Sequence, residues 1–127
     1  MTINPTYDYE ATIVNVVDGD TIDVLVDLGF YLRLDRRVRV WGMNSREVHS
    51  TDAAEKALGL ADKDFASAMI PTGTRVKIRS HKANTPDDKF GRWLAEIVLP
   101  DGRDFAAVMI ASGHGFVYSG QGPKPTA

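Results

Sequence analysis

The sequence predicts a mainly β fold with helices (α+β): a small five-stranded barrel carrying two helices. Three observations predict it. β-branched residues crowd into three early segments with partial alternation, and a helical period replaces that alternation between residues 50 and 70. The later half then repeats the change, with two more strand-like segments and a short helix. Three strands, a helix, two strands and a helix is the order of a Greek-key barrel of the OB type.

The first three strands are read at "EATIVNVV" (10–17), "TIDVLVDL" (21–28) and "LRLDRRVRVW" (32–41). Asp18-Gly19 and Leu28-Gly29 fall between them, so consecutive antiparallel pairing is the simplest connection. From Ser50 to Ile70, Ala54, Ala57, Leu58, Ala61, Phe65 and Ala68 or Met69 mark one helical face, and Asp52 with Glu55 resembles a capping box. Pro71 and Gly73 end that helix. "TRVKIRS" (74–80) and "FGRWLAEIVL" (90–99) are the fourth and fifth strands, the latter closed by the turn-forming Pro100-Asp101-Gly102. "DFAAVMIAS" (104–112) reads as a helix with Gly113 placed to cap it. Residues 1–118 thus form one domain, and "SGQGPKPTA" (119–127) is expected to be a disordered tail.

With 127 residues the chain is long enough to bury a core unaided, and 43% apolar with 25% charged residues is ordinary for a soluble globular domain. No segment approaches the roughly 20 apolar residues of a membrane-spanning helix, so no membrane partner is expected. The start, "MTINPTYDYE", has neither the basic residues nor the apolar run of a secretory signal. The absence of cysteine excludes disulfides and thiolate metal sites and fits a reducing compartment; the sequence leaves the location unknown, with cytoplasmic favoured because no signal is visible, and a monomer is expected. The net charge of −2 argues against a polyanionic partner. Its distribution argues the other way: acids fill the first thirty residues, whereas arginines and lysines concentrate at 33–39 and 75–92, which suggests separate fields of opposite sign.

The segment "RVRVWGMNSRE" (37–47) carries the functional reading. Arg37, Arg39 and Trp41 share one strand face and Val38 and Val40 the other. Gly42 then allows a bend that presents Asn44 and Ser45. Without a bend, Arg39 and Asn44 would lie about 17 Å apart at ~3.3 Å per residue. If the second and third strands pair about a turn near residues 30–31, paired positions sum to about 61, which sets Asp20 opposite roughly Trp41, at the bend. A carboxylate, an amide oxygen and a main-chain carbonyl together suit a hard cation, calcium first and magnesium second; three scattered histidines give zinc little support. Guanidiniums are shaped to take the charge that grows on a phosphodiester under attack, and Glu47 is placed to take a proton from water. Plainer roles are also open. Asp20 beside Gly19 suits a turn, and Glu47 ahead of a helix suits its positive end.

"VVDGDT" (16–21), "RVRVWGMNSRE" (37–47) and "DDKFGRWLAEI" (87–97) together resemble the staphylococcal nuclease (thermonuclease) family, in order and with compatible spacing from about Glu10 to Tyr118. The resemblance implies a calcium-dependent phosphodiesterase acting on DNA and/or RNA and leaving 3′-phosphate and 5′-hydroxyl ends. It implies metal ligation by Asp20, by Asn44 where the family has a second aspartate, and by the Ser45 carbonyl. Glu47 matches the general base, Arg39 and Arg92 the two phosphate-stabilising arginines, and Lys89 and Tyr118 lie near nucleotide-contacting positions. Two departures carry consequences: Asn44 removes a negative charge and should weaken calcium binding, and Arg46 replaces a proline, which should loosen the Glu47 loop. Two further readings are a non-catalytic OB-fold module for single-stranded nucleic acid, using Trp41, Phe90, Trp93 and Tyr118 as platforms, and a protein-interaction barrel. A pure nucleic-acid binder has no use for acids beside its phosphates.

Overall fold

The computed structural model describes residues 7–46, 48–81 and 93–117. The first three strands are Asp8–Asp18 (β1), Thr21–Gly29 (β2) and Leu32–Val40 (β3), paired antiparallel in sequence. A two-residue strand, Met43–Asn44 (β4), precedes helix Ala53–Met69 (α1). Strands Arg75–His81 (β5) and Trp93–Val98 (β6), helix Phe105–Ala111 (α2) and the short strand Phe116–Val117 (β7) complete the chain. The sheet closes as a barrel in the order β1-β2-β3-β6-β5, with β3 parallel to β6 and the other pairs antiparallel. This is the expected five-stranded barrel with two helices. The small separate β4–β7 sheet was not expected.

Alternation places Ile22, Val24 and Val26 of β2, Val38 and Val40 of β3 and Ile97 of β6 inside the barrel, all essentially inaccessible. Each such side chain contributes on the order of 1.5–3 kcal/mol. Register shifts between Ile13 and Asn15 and between Val16 and Asp18 explain why alternation in β1 looks imperfect in sequence. The extra residue lets Ile13 and Val16, three positions apart, both face the core while Val14 points out.

The β2–β3 hairpin corrects the register expected from the sequence. Gly29 pairs with Leu32 around a tight turn at Phe30 and Tyr31, as anticipated, but a bulge between Asp27 and Gly29 advances the ladder by one residue. Thr21 therefore faces Arg39, and the Val40 N–H donates to the Asp20 carbonyl at 2.9 Å. Parity demands the bulge: without it Ile22 would pair with Arg39 and its side chain would leave the core. Phe30 and Tyr31 both adopt positive φ (54° and 63°), a turn geometry that ordinarily selects Asn-Gly, and both rings lie in solvent.

Among the described residues, folding pairs off part of the charge segregation seen in the sequence. β1 lies between β2 and β5, so its acids meet the arginines of β5: Asp8 pairs with Arg79 at 2.8 Å and Glu10 with Arg75 at 3.8 Å. Across β2 and β3, Asp23 pairs with Arg37 at 2.8 Å. These strands thus carry cross-strand pairs of opposite charge on the outer face. The hydrogen bonds from Arg79 hold the Asp8 carboxyl below its usual range.

α1 starts where expected. The Asp52 carboxylate accepts from the Ala54 and Glu55 N–H groups (2.9 and 3.2 Å), while the Glu55 side chain is met by Ser50 Oγ at 3.1 Å. Its buried stripe differs from the expected face: Gly59, Asp62 and Ala66 are buried, with Phe65 and Met69 half-buried, and Ala54, Ala57, Leu58, Ala61 and Ala68 are exposed. A charged residue lies on the packed side, which apolar periodicity cannot anticipate. α2 is capped by Asp104, and Gly113 follows it with φ 79° as expected.

Candidate functional site

Asp20 is the last residue before β2, at the barrel end where β3 runs into Trp41 and Gly42. Gly42 has φ 89°, which a side chain would resist, and it turns the chain into β4. β4 is then held by β7, with Met43 opposite Val117 and Asn44 opposite Phe116. The bend expected from the sequence therefore exists, and a strand pairing keeps it in place.

The bend brings Asp20, Arg39, Asn44 and Ser45 together, all buried. Asp20 Oδ2 accepts from the Ser45 main-chain N–H at 2.9 Å and lies 3.3 Å from Arg39 Nη1. Asp20 Oδ1 accepts from Thr21 Oγ1 at 3.1 Å. Arg39 Nη1 also donates to the Met43 carbonyl at 3.1 Å, which spans the bend from inside. Close approach is possible because residue 19 is glycine: a Cβ there would sit 2.7 Å from Ser45 Cβ and 2.9 Å from its Oγ.

Asn44 is 1% exposed, and among the described residues neither Oδ1 nor Nδ2 of its side chain has a hydrogen-bond partner; Ser45 Oγ is in the same condition. Leaving such a buried group unsatisfied costs about 1–3 kcal/mol. An orphaned amide oxygen, one residue from the main-chain N–H that Asp20 holds, is of the donor type that a hard cation takes. Among the described residues no group of three or more His, Asp or Glu side chains gathers for a metal, so a site here would draw on the amide and main-chain oxygens as well as Asp20. Asp20 and Arg39 offset each other's charge and Asn44 adds none.

Four of the eight site residues expected from the sequence, Asp20, Arg39, Asn44 and Ser45, thus converge. The other four, Glu47, Lys89, Arg92 and Tyr118, lie outside the described residues, as do the start of the expected fifth strand at 90–92 and the tail 119–127. Of the aromatic platforms considered, Trp41 stacks on His81 with ring centroids 4.4 Å apart, and the Arg36 guanidinium lies 4.5 Å over Trp93. One face of each indole is therefore already covered. Phe90 and Tyr118 lie outside the described residues.

Sequence reasoning missed a second cluster beside the first. Arg46 was expected to loosen the Glu47 loop; Glu47 lies outside the described residues, and Arg46 itself is tied down. Its N–H donates to Asp62 Oδ2 at 3.0 Å and its Nη1 to Asp62 Oδ1 at 3.1 Å, while Nη1 also reaches the Gly113 carbonyl at 3.3 Å. Asp62 is fully buried and takes a further bond from His114 Nδ1 at 2.9 Å. The one available signal was an aspartate three residues after Gly59 and four before Ala66, on a stripe otherwise made of small residues.

A closed five-stranded mixed barrel with two helices, carrying an acid, an arginine and an amide buried at one end, defines an α+β barrel of the OB type. The chain belongs to the staphylococcal nuclease family: residues 37–126 match the family described as Staphylococcal nuclease homologue. The matched segment takes in Arg39, Asn44, Ser45, Glu47, Lys89, Arg92 and Tyr118 and begins after Asp20. No curated protein matches the chain. Family membership supports a nuclease or a nucleic-acid-binding OB-like module, with nucleic acid as the ligand.

Proposed function

We propose that the protein is a metal-dependent nuclease that hydrolyses phosphodiester bonds of DNA and/or RNA. The observation that carries this reading is the buried pairing of Asp20 with both Ser45 N–H and Arg39, beside an Asn44 amide that has no partner among the described residues. Asp20, Asn44 and the Ser45 carbonyl are the proposed ligands for calcium, with magnesium the second candidate. A cation there supplies charge neutralisation and Lewis-acid polarisation of the scissile phosphate.

The chain's own groups do the rest. Arg39, held within the bend by the Met43 carbonyl, meets the charge that develops on the phosphate oxygens. Arg92 is the second guanidinium. Glu47, ionised at neutral pH, takes the proton of the attacking water. Lys89 and Tyr118 hold flanking phosphates. Because Asp20 is already offset by Arg39 and Asn44 is neutral, the site is expected to bind calcium weakly until the phosphate draws Arg39 to itself. For the non-catalytic single-strand module, Trp41 and Trp93 offer at most one free face each, since the other is stacked on His81 or Arg36.

The test is cleavage by Arg39→Lys and Arg92→Ala. Lysine at 39 keeps the charge beside buried Asp20, whose uncompensated carboxylate would otherwise cost several kcal/mol, but loses the bidentate fork. We expect each variant to remain folded by circular dichroism and to lose about 10²- to 10³-fold in kcat. Near-normal cleavage by both would remove the mechanism.

A further inference from the structure

We propose that Asp62 is a positioning residue: through Arg46 and His114 it fixes the main chain between the candidate cation ligands and Glu47. The inference rests on the nuclease reading for its consequence and on geometry alone for the clamp itself.

Asp62 is fully buried in the middle of α1, where a helix gains nothing from aspartate and burial of a charge is expensive. Its described hydrogen bonds all leave the helix. Oδ2 accepts from the Arg46 N–H at 3.0 Å, and Arg46 Nη1 lies 3.1 and 3.4 Å from the two oxygens. Oδ1 also meets His114 Nδ1 at 2.9 Å; a carboxylate only accepts, so the imidazole carries its proton on Nδ1. The partners are themselves fixed. His114 stacks on Phe65, one turn further along α1, with centroids 4.5 Å apart, and the Arg46 guanidinium lies 5.0 Å over Phe116, the residue that pairs with Asn44.

Three consecutive residues of the bend are consequently held from three directions. Asn44 is held by the β4–β7 pairing, the Ser45 N–H by Asp20 from the barrel, and the Arg46 N–H by Asp62 from α1. The third restraint comes from α1, outside the barrel strands. Its effect is to fix the chain one residue beyond the proposed ligands and one residue before the proposed proton acceptor. The cluster does by hydrogen bonding what a fixed φ would do at position 46.

Asp62→Asn tests this, because the amide is neutral and accepts through one oxygen only, so even with the His114 tautomer reversed it gives up the charge-assisted, two-oxygen pairing with Arg46. In the full chain we expect amide hydrogen exchange across residues 43–50 to rise at least about tenfold, with β1 and β2 unchanged. We expect kcat for an oligonucleotide to fall about 10- to 100-fold at nearly constant KM. In a Glu47→Gln background, Asp62→Asn should cause little further loss, since both changes act on one event. Arg46→Lys, which keeps the main-chain bond, should shift exchange and kcat in the same direction by less, and it carries the test if Asp62→Asn does not fold. Unchanged exchange across the bend, or losses that multiply in full with Glu47→Gln, would overturn the proposal. Wild-type cleavage by Glu47→Gln would instead reject the role given to Glu47, and exchange would still decide whether the clamp exists.

Discussion

The contact between Gly19 and Ser45 is the tightest point in the assembly of the site, and it yields a quantitative prediction. Gly19→Ala would place a methyl 2.7 Å from Ser45 Cβ, where carbon atoms ordinarily rest at about 3.5–4.0 Å. Ser45 Cβ is attached directly to the backbone, so relief requires the two chain segments to separate by about 1 Å. Overpacking of this kind costs about 1–3 kcal/mol. Separation also stretches the 2.9 Å bond from Ser45 N–H to Asp20, a charge-assisted bond worth about 1.5–3 kcal/mol. Partial loss of that bond brings the expected total to roughly 2–4 kcal/mol, or about 10 °C in Tm for a domain of this size. Ser45→Gly removes the two nearest obstructing atoms, and the next, Met109 Cε at 3.2 Å, is a flexible end. The assay is a double-mutant cycle by thermal and urea unfolding. We expect Gly19→Ala to cost at least about 1 kcal/mol less in the Ser45→Gly background than in the wild type. Equal destabilisation in both backgrounds would refute the packing of Asp20 against the bend.

Other expectations follow from the same structure. Asn44→Asp should tighten calcium binding roughly tenfold or more by calorimetry, because a second carboxylate raises the ligand charge; unchanged or poorer affinity would count against Asn44 as a ligand. Phe30→Asn combined with Tyr31→Gly should stabilise the protein by about 1 kcal/mol in urea unfolding, since two side chains leave a left-handed turn they disfavour. The Asp8 carboxyl is lowered by its Arg79 hydrogen bonds, so its small contribution is present above its unfolded value near 3.8 and is lost as pH falls through the folded value. Asp8→Asn should therefore lower the urea midpoint slightly at pH 7, with the difference shrinking as pH falls below 3.8.

Much of the fold was legible because barrels leave a period-two record. β2, with Ile22, Val24 and Val26 inside, is the clear case. The bulge before Gly29 was not legible, because the turn residues set the pairing at the tip while parity farther down required one residue more. The approach of Asp20 to the bend at Ser45 was legible through Gly42 and the hairpin arithmetic, whereas the close approach that Gly19 permits was not. Charge distribution misled, because acids and bases far apart in sequence lie on adjacent strands. Asp62 was hidden for a related reason. Apolar periodicity assigns charge to the outside of a helix, and only the three-dimensional meeting with Arg46 and His114 makes its burial tolerable.

The most direct measurement is incubation of the purified protein with plasmid DNA, single-stranded DNA and RNA in calcium, in magnesium and in chelator. The account predicts cleavage of nucleic acid in calcium, little or none in chelator, and strong loss in Arg39→Lys under the same conditions. Cutting that persists undiminished without divalent cations, or retention of nucleic acid with no cutting under any condition, would contradict it.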